Sequence, residues 1–127
     1  MTIAEMPVFS VPPPVKNRPY AMADAETWSL GSTVVRVVCD DGPVGWGEAC
    51  PLGATYQAQH ALGARSALAE VAPGLIGADP LGAVALRRRM DGLLSGSRYA
   101  KAALDIAACG LTGKRCGGGS RTSSAGR

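Results

Sequence analysis

The clearest strand-like run of apolar positions lies between Thr33 and Glu48. Val35, Val37 and Cys39 fall on one side of an extended segment and Val34, Arg36 and Val38 on the other, and β-branched side chains favour that pleated geometry. Asp41-Gly42-Pro43 supplies turn chemistry, so Val44 to Glu48 returns antiparallel and the two runs form a hairpin. Thr2 to Val11 carries Ile3, Met6, Val8, Phe9 and Val11 in looser alternation. It predicts a first strand that joins the hairpin's sheet and ends at Pro12-Pro13-Pro14. From Val15 to Gly31 no period persists, and Tyr20, Met22 and Trp28 stand among polar residues. Two readings are open: a loop that closes over something, or aromatics that pin a loop to its own core. Pro51-Leu52-Gly53-Ala54-Thr55-Tyr56 reads as a second short loop, which can carry specificity or be a packed turn.

A helical period takes over at Gln57. Ala61, Ala64, Leu68, Val71 and Leu75 share one face up to Leu75, with Pro73-Gly74 ending the regular part. Asp79-Pro80 pairs a capping carboxylate with a proline suited to a first turn, and Leu86, Met90, Leu93 and Leu94 then mark a second helix. Ser97 is placed to cap a third, on which Ala100, Leu104, Ala107, Ala108 and Leu111 recur and the small alanines allow a neighbour to approach closely. The predicted class is α+β: a three-stranded antiparallel sheet, a meander, packed against about three helices.

Composition changes this picture at one end only. From Cys116 the chain reads Cys-Gly-Gly-Gly-Ser-Arg-Thr-Ser-Ser-Ala-Gly-Arg, where nothing but Ala125 and the cysteine is apolar. Such a segment cannot pack, so residues 1–114 are expected to form the domain and 115–127 a disordered tail. The net charge of +3, from 13 basic and 10 acidic residues, is too small an excess to argue for nucleic acid. Arg87-Arg88-Arg89 is the one basic run and reads first as a solvated helix face, second as a phosphate site. No uninterrupted apolar stretch reads as a signal peptide or a membrane span, and Cys39, Cys50, Cys109 and Cys116 lack zinc or redox spacing. Free thiols in a cytoplasmic protein are the expectation.

Catalytic chemistry is thin. His60 is the sole histidine and sits in the first turns of the first helix, so an exposed or hydrogen-bonded structural role outweighs a catalytic one. Glu48 follows Gly-Trp-Gly at a strand end, where pairing with a nearby loop or helix end outweighs a functional carboxylate. Gly42, Gly45 and Gly47 belong to a hairpin rather than a strand-to-helix turn, so they give no phosphate loop. No metal-ligand cluster stands out, and neither catalytic nor metal residues are assigned.

Four stretches in order carry a resemblance: Gly45-Trp46-Gly47-Glu48, Pro51 to Tyr56, Ala72-Pro73-Gly74-Leu75-Ile76-Gly77-Ala78-Asp79-Pro80, and Ala102-Ala103-Leu104-Asp105-Ile106-Ala107-Ala108. Together they resemble the amino-terminal capping domain of the mandelate racemase and muconate lactonizing enzyme group of the enolase superfamily, from about residue 1 to Lys114. The loops look most like those of enzymes acting on proline betaines or hydroxyprolines. The resemblance implies a capping domain whose two loops close over substrate, while a following barrel supplies Mg²⁺-binding carboxylates and the bases. That makes Tyr20, Trp28, Thr55 and Tyr56 the expected substrate-contacting residues. It also implies Mg²⁺ in the complete enzyme but no cofactor in this chain.

A (β/α)₈ barrel needs about 250 residues, so the chain is expected to be truncated and inert alone. The family's aromatic-Asp pair is replaced here by Cys109-Gly110, and Gly weakens a helix by roughly 1 kcal/mol. One choice of codons for Gly119 to Arg127, read one frame over, spells a run resembling the family's continuation, which is compatible with a frameshift. The partners expected are a small carboxylate or amino-acid betaine in the complete enzyme, and a second copy in a homo-oligomer, without nucleic acid or membrane. The alternative is a free-standing binding or oligomerisation module without activity.

Overall fold

A computed structural model describes residues 1–12, 16, 19–21, 26–27, 30–52 and 60–117. Among these residues six strands precede three helices: β1 (Ile3–Glu5), β2 (Val8–Val11), β3 (Tyr20–Ala21), β4 (Glu26–Thr27), β5 (Ser32–Cys39) and β6 (Val44–Ala49), then α1 (Ala61–Leu75), α2 (Ala83–Leu93) and α3 (Arg98–Arg115). The α+β class is as read, but the main sheet has four strands where three were expected. The expected first strand is split at Met6-Pro7, because proline has no N–H to give to a ladder. Both halves still run antiparallel to β5, with Ile3 opposite Cys39 and Val8 opposite Val35, and a register shift lies between Ile3 and Glu5. Between them the Pro7 carbonyl accepts the Arg36 N–H at 3.0 Å. β1 and β2 therefore lie end to end along one side of β5, and β6 lies along the other. In the segment read as aperiodic, β3 and β4 pair as a two-stranded ribbon, Tyr20 opposite Thr27.

The hairpin forms as its pattern dictates. Val38 faces Val44 at the turn and Thr33 faces Ala49 at the far end, and Gly42 holds a φ of +103° that favours glycine. Val35, Val37 and Cys39 are buried toward the helices with Leu68, Val71 and Leu75 of α1, Leu86 and Met90 of α2, and Leu104 and Leu111 of α3. The alanines of α3 do allow close approach, and the glycines of β6 meet it. A Cβ added to Gly47 would overlap the backbone carbonyl of Ala103, and one added to Gly45 the carbonyl of Ala107. The Gly-Trp-Gly sequence is thus a helix-packing device. At the far end of α3, Lys114 Nζ donates to the Val44 carbonyl at 2.5 Å.

Helix starts are where the local reading errs. Asp79 does not cap α2; its Oδ1 accepts the Leu81 N–H at 2.8 Å in a preceding turn, and the helix begins at Ala83 after Gly82. Ser97 stands at the N-cap position of α3 with φ 53°, ψ 50°, and makes no side-chain capping bond. The α2–α3 turn is held instead by Lys101, only 3% exposed, whose Nζ donates to Asp91 Oδ1 at 2.8 Å and to the Leu94 carbonyl at 2.6 Å. α3 runs unbroken through Cys109-Gly110. α1 is described from Ala61, and Gln57 to Gln59, where its pattern began, lie outside the described residues, as does 118–127 of the expected tail.

Candidate functional site at one end of the sheet

The register places the roots of two chain segments together. Val11 pairs with Ser32, so residues 12–31 leave and rejoin the sheet at neighbouring positions. Thr33 pairs with Ala49, so the segment from Cys50 leaves from the adjacent strand at the same end. It returns at Ala61, against which Gly31 packs so tightly that an added Cβ would lie 2.7 Å from the Ala61 Cβ.

Polar contacts fasten this end. Ser32, 1% exposed, donates its hydroxyl to Glu48 Oε1. Thr33, fully buried, accepts a bond from Arg65 Nε of α1 at 3.2 Å. Adjacent residues of a strand face opposite ways, so the two bonds leave opposite faces of the sheet. The Cys50 thiol is raised above its ordinary pKa by desolvation and then by the Glu48 charge, while the Ser32 hydroxyl works the other way. Glu48 is thus a paired carboxylate, but its partner is Ser32 on the neighbouring strand β5 rather than the loop or helix end expected from sequence. His60 is exposed at the N-cap position of α1 without a side-chain capping bond.

Of the residues expected to contact substrate, Tyr20 lies in β3, and its side chain is outside the description. Trp28, Thr55 and Tyr56 lie outside the described residues. Sequence reasoning passed over Ser32, Thr33 and Arg65. Their one signal was two hydroxyl residues heading a strand otherwise dominated by valine.

Two residues of the arginine run make contacts within the fold. Arg87 pairs with Asp105 at 2.8 Å and Asp91 at 3.5 Å, and Arg89 Nε donates to the Gly74 carbonyl at 2.6 Å. Those contacts favour a structural helix face over a phosphate site. A groove of about 410 Å³ between α2 and α3 is lined mainly by apolar atoms of Pro80, Val84, Leu86, Ala108 and Cys109.

The outer face of the sheet is different again. Trp46 is 52% and Phe9 40% exposed, with ring centroids 6.3 Å apart, and the Arg36 guanidinium lies 5.9 Å from the Trp46 ring. Arg36 Nε is buried without a hydrogen-bond partner.

Among the described residues no group of three or more His, Cys, Asp or Glu could hold a metal ion, so none of these residues is given a ligand's role. No described helix is long and apolar enough to cross a membrane.

Residues 5–119 match the N-terminal domain of the mandelate racemase / muconate lactonizing enzyme family. The chain is 43% identical over 118 residues to cis-3-hydroxy-L-proline dehydratase of Roseibium aggregatum, covering 92% of this chain and 32% of the relative. It is 33% identical over 103 residues to L-Ala-D/L-Glu epimerase of Bacillus subtilis, covering 80% and 28%. A mandelate racemase/muconate lactonizing enzyme structure from Roseovarius nubinhibens, complexed with magnesium, superposes with a TM-score of 0.88 at 36% identity, covering 91% of this chain and 31% of that one. The chain thus spans about a third of the length of the curated relatives it matches.

Proposed function

Because the chain belongs to the mandelate racemase / muconate lactonizing enzyme family, as its N-terminal domain, we propose that it is the substrate-capping part of a Mg²⁺-dependent racemase, epimerase or dehydratase of small carboxylates. The reaction class is abstraction of the proton next to the carboxylate. The observation that carries this reading is the rooting of residues 12–31 and of the segment after Ala49 at one end of the sheet. Two loops that share a base can reach one substrate.

Tyr20, Trp28, Thr55 and Tyr56 are the proposed contact residues. The 43% identity to a hydroxyproline dehydratase favours a cyclic amino acid or its betaine as substrate. An aromatic face there would attract a quaternary ammonium by about 0.5–2 kcal/mol per contact. The chain alone is proposed to be inert, because the family resemblance assigns the metal ligands and bases to a following barrel and the chain spans about a third of its relatives.

Mixing the chain with the Roseibium aggregatum dehydratase expressed without its matched N-terminal stretch tests both halves of the proposal. Dehydration of cis-3-hydroxy-L-proline should appear only in the mixture. A remainder indifferent to the chain would sink the capping role. Exchange of the substrate's α-proton with deuterated water, catalysed by the chain alone with Mg²⁺, would sink the claim of inertness.

The exposed Phe9 and Trp46 favour a second reading, a free-standing module that pairs with itself or another chain. A discrete dimer by solution mass, with no effect on the dehydratase remainder, would favour it.

A further inference from the structure

We propose that Ser32 and Thr33 are positioning residues that fasten the bases of the two loop segments into one unit, Ser32 through Glu48 and Thr33 through Arg65. The inference rests on the capping reading for its purpose but on the geometry for its existence.

Both hydroxyls come immediately after the 12–31 segment rejoins the sheet. The Ser32 bond reaches Glu48, two residues before the second segment leaves β6, and the Thr33 bond reaches Arg65, four residues after α1 begins. The second segment is therefore gripped on both sides by consecutive residues of the first segment's return. Gly31 adds a third contact by seating against Ala61.

Packing alone does not call for these hydroxyls. The strand continues as Val34-Val35-Arg36-Val37-Val38, and a valine at 33 would fill nearly the same space as threonine. Buried hydroxyls at 1% and 0% exposure are retained at low cost only when bonded, and here each is bonded to a different element. A hydrogen bond that spans two elements removes a relative motion which neither would restrict alone.

Amide hydrogen exchange on the intact chain, read by mass spectrometry over Gly31–Thr33, Ala49–Leu52 and Ala61–Arg65, tests the proposal. Thr33→Val and Glu48→Ala should each speed exchange in all three stretches by about fivefold, the scale of one lost net hydrogen bond. α2 and α3 should stay at wild-type rates. Glu48→Gln keeps an acceptor oxygen and should restore protection. Faster exchange confined to the substituted element, an equal rise across α2 and α3, or a Gln variant as fast as the Ala variant would each overturn the proposal. No substrate enters the measurement, so its outcome is independent of whether the capping reading survives.

Discussion

The two faces of the main sheet are built from neighbouring residues to opposite ends. On the helix side, Gly45 and Gly47 bring β6 against the α3 backbone, and Val35, Val37 and Cys39 are sealed beneath three helices. On the other side, Phe9 and Trp46 stand half in solvent beside an arginine with a buried, unpartnered Nε. The alternation of a strand makes the contrast possible, because each residue is assigned to a face by parity alone. The lesson is that the helix-side face completes the packing of the fold, while the opposite face keeps its aromatic side chains half in solvent.

The largest effect should come from the sealed face. Gly47→Ala puts a methyl group into the Ala103 carbonyl, and backbone cannot rotate aside as a side chain can. A loss of about 3 kcal/mol is expected in chemical denaturation, and a loss under about 1 kcal/mol would show that sheet and helix are not in tight contact.

A smaller effect should appear in acid. The Lys101 ammonium, bonded to Asp91, holds that carboxyl below its ordinary value of 3.8, and the Thr2 N–H does the same for Asp40. Both folded-state values are depressed, so the unfolded chain takes up protons first as the pH falls. The stability contributed is complete above the ordinary value and is lost as pH drops through the folded value. The thermal midpoint should therefore fall between about pH 5 and pH 2, and Asp91→Asn should make that fall shallower. An unaltered profile would remove Asp91 from the account.

The smallest change in stability should come from the open face. Trp46→Ser is expected to cost no more than about 1 kcal/mol in the same denaturation. A loss as large as that of Gly47→Ala would erase the difference between the faces.

Much of this was legible in the order of residues. The parity of Val35, Val37 and Cys39, and the recurrence of Ala100, Leu104, Ala107, Ala108 and Leu111, placed the buried faces because periodicity is a local property. What escaped depends on distant partners. Asp79 and Ser97 carry capping chemistry, yet one bonds within its own turn and the other sits in a left-handed conformation where no cap forms. Ser32 and Thr33 became conspicuous only once Glu48 and Arg65 were brought beside them across the sheet. Two candidate loops were expected from sequence, but the common root of the two segments follows from strand register, which no single segment contains.

That common root also bears on how such a domain can diversify. Because Val11 and Ser32 are already paired, the ends of the intervening segment stay together whatever lies between them. The entropy of closing a chain grows only with the logarithm of its length, about 0.6 kcal/mol for each doubling of a flexible insertion. New lengths and new side chains can therefore be sampled there while the sheet and its helices stay as they are.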